Sequence, residues 1–407
     1  MDSRRAFLGG GEGRSQQIKW ILSWCGAGAL FAGLAYGMYF SRFHGDFDRM
    51  DNVIIRRNIS LYPWYHWFFN DWGVGDAGFY RPLQVLVFYM LRWLHLESPV
   101  GYTVFQQFNL GAMALLLVAF LRILGVTFFA STCLALLAIS SPSVWGSLWF
   151  VSDSSSFFQV SCLIGMYFLS LGNIGRKGVG CQWGIFFALC LIALGLKESG
   201  LVVVGAVICL RSIQWVLGEK RTADPAILGL MIGLVICYLI VRHYALASGT
   251  IWDPLGQNGF YFSEEFKKLS ETPKQFQIKV AIYNIMVHFA THFAPIAGGM
   301  GELPGQPVYW YRAIPFTVLS AAIFCSFGKL RKNALFYSAA SIVVMTSLIS
   351  FPYFRYRMHF ISDVAVVIML ALAMNGIRSR TVKGVVYAAI IAVIVLNVFL
   401  IEAIEPR

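Results

Sequence analysis

The chain consists of long apolar runs separated by short polar or basic breaks. Such runs read at 20–40, 103–122, 126–142, 156–172, 182–196, 199–217, 226–246, 312–328, 334–351, 359–376 and 384–401. A helix needs about 20 residues to cross about 30 Å of hydrocarbon. The pattern therefore predicts an all-α polytopic membrane protein with about 11 transmembrane helices. Two further stretches are mixed. Residues 81–98 carry Arg81, Arg92, His95 and Glu97, and residues 279–300 carry Lys279, Asn284, His288 and His292, so each either spans or lies at the interface.

Two long segments lie between the runs, 41–102 and 247–311. The first is dense in aromatic residues (Tyr62, Trp64, Tyr65, Trp67, Phe68, Phe69, Trp72), which favour the headgroup region, so it is expected to form helices along the membrane surface. In the second, Asn284, His288 and His292 recur every four residues and make one polar stripe suited to lining a wet cavity. The sequence has no internal repeat and no low-complexity tract, and residues 1–407 read as a single membrane domain.

Composition and charge narrow the class. Of 407 residues, 58% are hydrophobic and 13% charged, which excludes a soluble enzyme. A net charge of +12 would point to nucleic acid in a soluble protein, but its placement here gives another meaning. With both mixed stretches at the interface, the N-terminal basic group, Arg122, Arg176/Lys177, Arg211/Lys220/Arg221, Lys329/Arg331/Lys332 and Arg378/Arg380/Lys383 all fall on one side, as short cytoplasmic loops require. If both stretches spanned, the groups from Arg122 to Arg221 would face outward. The charge is thus a topology signal, and no nucleic-acid partner is expected. It puts the N-terminus in the cytoplasm, and the C-terminus and both long segments outside.

The run after Arg4, Arg5, Arg14 and Lys19 lacks a small-residue cleavage site and reads as a retained first span. Short loops and the lack of a soluble domain favour a bacterial inner membrane over the endoplasmic reticulum. All eight cysteines lie in or beside apolar runs, so neither disulfides nor a cysteine-ligated metal is expected.

Candidate chemistry lies at the outer ends of the runs. Just past the first run come Asp46, Asp48 and Asp51. Carboxylates there can take a proton from an attacking hydroxyl or amide, and a close pair can share a divalent cation, Mg or Mn. The competing reading is a solvated cap for a helix beginning after Gly45. Further on stand Gly78-Phe79-Tyr80-Arg81-Pro82-Leu83, then Ser141 to Ser156 with Pro142, Trp149 and Asp153, then Leu196-Lys197-Glu198-Ser199. Near the end, Pro352 to His359 carries Arg355 and Arg357, whose guanidinium forks suit a phosphate or anchor a helix to headgroups.

This ordered set resembles the integral-membrane C-type glycosyltransferase superfamily, which includes protein O-mannosyltransferases and tetratricopeptide-linked transmembrane transferases. The resemblance runs from end to end. Those proteins carry an acidic motif after the first span, a Tyr/Phe-Arg-Pro-Leu motif before the second, a Pro-containing outer loop after the third and Lys-Glu-Ser after the fifth. It implies that Asp46 and Asp48 are catalytic, that Arg355, Arg357 and Lys197 hold the phosphate of a polyprenyl-phosphate-linked sugar, and that a protein, lipid or glycan acceptor attacks with inversion. Arg81, Glu198, Asp153, His288 and His292 are then candidates for the substrate cavity. Phe47 interrupts the family's adjacent acidic pair, leaving the roles of Asp46, Asp48 and Asp51 open, and Ser154 to Ser156 stand where the family often has Arg-x-Asp. The rival classes are a transporter or lipid flippase and a non-catalytic scaffold of the same fold.

Overall fold

A computed structural model of the protein describes residues 14–39, 59–70, 80–149, 155–171, 179–217, 225–246, 314–349 and 359–400, with positions 278, 282, 285, 288 and 292. The described residues are helical or in turns, with no strand among them. The helices are α1 (Arg14–Tyr39), α2 (Pro82–Trp93), α3 (Pro99–Ile123), α4 (Phe128–Ile139), α5 (Pro142–Trp149), α6 (Ser155–Leu171) and α7 (Val179–Leu196). They continue with α8 (Gly200–Val216), α9 (Pro225–Leu246), α10 (Ile314–Leu330), α11 (Ala334–Ile349), α12 (Phe360–Gly376) and α13 (Arg380–Leu400). A single turn at Ile59–Leu61 and a tighter one at Trp64–Phe68 precede α2. Every apolar run of the sequence is helical over most of its length. Three helices are long and apolar enough to cross a membrane by themselves, at Pro99–Ile123, Pro225–Ala245 and Arg380–Phe399, with mean hydropathies of 1.8, 2.2 and 2.3. The architecture is that expected of a helical membrane protein.

Local chemistry fixes where the helices start and stop. Ser98 caps α3 by accepting from the Gly101 amide at 3.1 Å, and Pro99 takes the first helical position, where its missing N–H costs nothing. The helix ends at Gly125, whose φ of 87° suits glycine; its amide donates to Arg122 and that of Val126 to Leu121, the paired bonds of a Schellman cap. Thr127 then caps α4 through the Ala130 amide. Helix α4 stops at Ile139 and α5 starts at Pro142, because a proline cannot donate into a continuing helix and biases the residue before it out of the α region. The apolar run at 126–142 is therefore shorter as a helix than its hydropathy indicates.

Helix α12 is the axis of the bundle, buried along most of its length and packed against α4, α5, α6, α10 and α11. Helices α9 and α13 lie at the periphery and present mostly exposed apolar surface. Helix α2 has 12 residues and covers about 18 Å, too little for a hydrocarbon core, so the mixed stretch at 81–98 does not span as a helix. It packs on α7 and on a small aromatic core of Ile59, Trp67, Val85, Phe88, Leu91 and Tyr102. Trp64, Tyr65, Phe69 and Trp93 point away from that core and are exposed. Helix α4 is equally short, but it lies inside the bundle against α3, α12 and α13.

Each end of the bundle has its own character. At one, Lys329 donates to the Gly376 carbonyl, Asn375 donates to Leu124 O at 2.8 Å, and buried Arg211 lies 5.3 Å from the Trp183 ring centre. At the other meet the start of α2, the α4–α5 junction, the start of α6, the α7–α8 turn, the end of α11 and the start of α12. The α7–α8 turn is tight enough that a Cβ on Gly200 would stand 2.0 Å from the Ala193 carbonyl oxygen. Gly200→Ala is therefore expected to destabilise the protein by more than about 3 kcal/mol or to block its assembly, read as a thermal unfolding midpoint in detergent. Gly184→Ala, whose added methyl meets open space on a helix, is expected to leave that midpoint unchanged or raise it.

Candidate functional site

Two buried polar clusters occupy this second end. The first is centred on Arg81, which precedes α2, and Glu198, in the α7–α8 turn. Arg81 Nε donates to Glu198 Oε2 at 3.0 Å and a second guanidinium nitrogen lies 3.0 Å from the same oxygen, with both side chains below 10% exposure. Tyr238 and buried Arg242 on α9 lie within electrostatic range of the pair, and the Tyr80 and Tyr238 rings are 6.0 Å apart. Lys197, next to Glu198, is half-buried. The turn carrying these residues is held by Gln159 of α6, whose amide donates to Ala193 O and Lys197 O at 2.9 Å and accepts from Ser199 Oγ at 2.7 Å.

The second cluster surrounds Asp363 in the first turn of α12, where the helix dipole favours a carboxylate. Its Oδ1 lies 2.7 Å from His292 Nδ1, and its Oδ2 accepts a hydrogen bond from Ser143 Oγ, itself 2.6 Å from Ser141 Oγ. A carboxylate only accepts, so Nδ1 of His292 carries the proton. The opposite ring nitrogen, Nε2, then faces Ser362 Oγ at 3.2 Å. His288 packs beside His292 with ring centres 5.1 Å apart, and against His359, which precedes α12, at 4.0 Å. His288 Nε2 lies 3.4 Å from Thr346 Oγ1 on α11, whose hydroxyl donates to Ile342 O, so Nε2 is the donor in that contact. Burial, reinforced by the neighbouring imidazoles, holds His288 well below the usual histidine range, so it is neutral near pH 7. Helix α6 joins the two clusters, since Phe157 packs edge-on against Phe360 at 5.2 Å two residues before Gln159.

Ser362, His292 and Asp363 stand in the hydrogen-bonded order of a Ser-His-Asp relay. All three are buried to 1% exposure or less, which makes this a clamp between chain segments and not an open nucleophile. Among the described residues, no group of three His, Cys, Asp or Glu side chains is arranged to hold a metal ion.

Of the residues singled out in the sequence, Arg81 and Glu198 are brought together, and Lys197 lies beside them. His288 and His292 are brought together in the second cluster, fully buried. Asp46, Asp48, Asp51, Asp153, Arg355 and Arg357 lie outside the described residues. Sequence reasoning did not place Asp363, His359, Ser143, Tyr238 or Arg242 in the site. Two of them carried a signal, because Asp363 and Arg242 are ionisable residues inside otherwise apolar helices, where such residues are rare unless paired or functional.

Removing one member of a buried ion pair strands the other charge. Glu198→Leu is expected to cost about 3–5 kcal/mol, and Arg81→Met added to it should recover most of the loss, measured by reversible unfolding in mixed micelles. No known family, curated protein or solved structure matches this chain.

Proposed function

We propose that this protein is an integral-membrane glycosyltransferase that moves a sugar from a polyprenyl-phosphate-linked donor to a protein, lipid or glycan acceptor at the extracytoplasmic face. The observation that carries this reading is the contact between Arg81 and Glu198. They belong to two motifs of the resemblance, Tyr-Arg-Pro-Leu and Lys-Glu-Ser, and meet at 3.0 Å across 117 positions of sequence. Other proposed site residues adjoin the same end along the chain: Asp153 precedes Ser155 by two positions, and Arg357 precedes His359 by two.

In this reading all 11 apolar runs span the bilayer of a bacterial inner membrane, with the N-terminus in the cytoplasm and the C-terminus outside. The polar end of the bundle then faces outward. Arg122, Arg211 and Lys329 lie at the opposite end, as cytoplasmic basic residues should.

Arg355, Arg357 and Lys197 hold the donor phosphate, so the charge developing on the leaving oxygen meets fixed positive charge. Asp46, with Asp48 close by, takes the proton from the acceptor as its oxygen or nitrogen bonds to the anomeric carbon. The bond from that carbon to the phosphate oxygen breaks, polyprenyl phosphate leaves as the anion, and attack from the opposite face inverts configuration. Asp46 and Asp48 are also the carboxylates that would hold a divalent Mg or Mn ion, which a chelator arm in the assay tests. A transporter or flippase reading is weaker, because transport sites sit near the midplane, whereas Asp363, Glu198 and Arg242 lie near helix ends.

The purified protein, given a panel of lipid-phosphate sugars and extracted membrane components, is expected to release free polyprenyl phosphate. Asp46→Asn should abolish release, and Arg357→Ala should raise the donor concentration needed. No release by the wild type, together with no donor binding, would return the weight to transport or to a scaffold. The topology is checked separately: in a background cleared of other cysteines, Gly178→Cys is expected to react with membrane-impermeant reagent only from the cytoplasmic side, and labelling from outside would invert the arrangement.

A further inference from the structure

Helix α2 lies directly on the last turn of α7, where a Cβ on Gly195 would stand 2.7 Å from Leu83 Cγ. That contact brings the start of α2, with Arg81 and Gln84, against the stretch from Gly195 to Glu198. Tyr238 of α9 lies within electrostatic range of both Arg81 and Glu198. Two nitrogens of Arg81 approach one carboxylate oxygen of Glu198, Oε2. The other oxygen, Oε1, is buried and has no hydrogen-bond partner, and the same holds for the Tyr238 hydroxyl and for both polar atoms of the Gln84 amide. Glu198, Tyr238 and Gln84 are 7%, 9% and 1% exposed, so bulk water does not satisfy them. Native proteins pair nearly all such atoms, and orphans gathered in one corner from three chain segments mark a missing ligand.

The chemistry of the four atoms narrows that ligand. Glu198 Oε1 only accepts, whereas a phenol hydroxyl and an amide each donate and accept. A cation would meet the Arg81 guanidinium and buried Arg242 alongside, and an anion would meet the Glu198 carboxylate. A neutral group with several adjacent hydroxyls, each both donor and acceptor, satisfies all four atoms. A sugar ring presents such a set.

We propose that Gln84, Glu198 and Tyr238 form a subsite for the hydroxyls of a sugar ring, with Glu198 Oε1 accepting from the ring and Gln84 and Tyr238 bonding the neighbouring hydroxyls. The choice of a sugar as the source of these hydroxyls rests on the transferase reading. Arg81 is a positioning residue here: by taking Oε2 it leaves Oε1 for the ligand. Since the atoms are covered, a ring enters by displacement of α2, the 12-residue surface helix that lies over them.

The test uses the full chain in nanodiscs prepared without glycoside detergents. It reads the thermal unfolding midpoint against methyl glycosides of the common hexoses and pentoses, each with its monodeoxy analogues. At least one glycoside is expected to raise the midpoint by about 2 °C, while an analogue lacking a single hydroxyl gives no shift. No shift with any glycoside overturns the subsite. So do equal shifts from a parent and all its analogues, which signal general exclusion of sugar from the protein surface. Tyr238→Phe and Gln84→Met are expected to keep or raise the midpoint without sugar, because each deletes polar atoms that have nothing to bond, and to abolish the glycoside shift. A glycoside shift that survives both substitutions overturns the assignment, and so does a lower sugar-free midpoint in both, which would mean that these atoms already have partners. Should either variant fail to assemble, the wild-type panel of deoxy analogues decides by itself. Release of polyprenyl phosphate, followed in parallel, separates the two readings. A glycoside shift without release keeps the subsite and removes the transferase, whereas release without a glycoside shift does the reverse.

Discussion

A peptide group in hydrocarbon has no water to bond with, so each N–H and C=O must be satisfied within its own helix. That requirement shapes most of this protein. It keeps the apolar runs helical and pushes proline breaks and tight turns to the ends. It also confines costly polar side chains to the levels where helices start and stop. Ser98, Thr127 and the Gly125 cap close the exposed ends locally. The same geography explains why both polar clusters share one end of the bundle. The α7–α8 turn, the α4–α5 break and the start of α12 are places where backbone and side chain can both be polar without facing lipid.

The interactions at that end differ in what they contribute. A buried pair such as Arg81 and Glu198 gains Coulomb energy and loses hydration in comparable amounts, so its net stabilisation is small. Its value is positional: a surface helix 12 residues long is tied at its first turn to the turn between two bundle helices. Asp363 and His292 do the same for the chain at His292 and the central helix. Gln159 has both ends of its amide satisfied by one turn, which fixes the backbone of Lys197 and the orientation of its neighbour Glu198.

The helices were legible in the sequence because hydropathy over 20 residues is a local property. The run at 182–196 appears as Val179–Leu196 and that at 334–351 as Ala334–Ile349. Helix α4 was overestimated because hydropathy does not register a proline stop. The site was legible only one residue at a time. Arg81, Glu198, His288 and His292 could each be picked out by charge in an apolar setting, but pairing across 117 or 71 positions leaves no periodic trace. Ser143 and Tyr238 were invisible for a further reason, since a serine near a helix start and a tyrosine in an apolar helix look the same whether they pack or bind.

The reach of the polar contacts also orders the assembly of the protein as it is made. Gln159 finds its partners within about 40 residues, so α6, α7 and α8 can lock together while the rest of the chain is still being synthesised. Asp363 meets Ser143 across 220 positions and His292 across 71. Until α12 emerges, the serine and the histidine wait without their carboxylate, in a partly built bundle with an open groove along its centre. The central helix is thus among the last to enter, and a chain truncated before it would expose polar groups to lipid, the kind of lesion by which membrane quality control distinguishes an unfinished protein from a finished one.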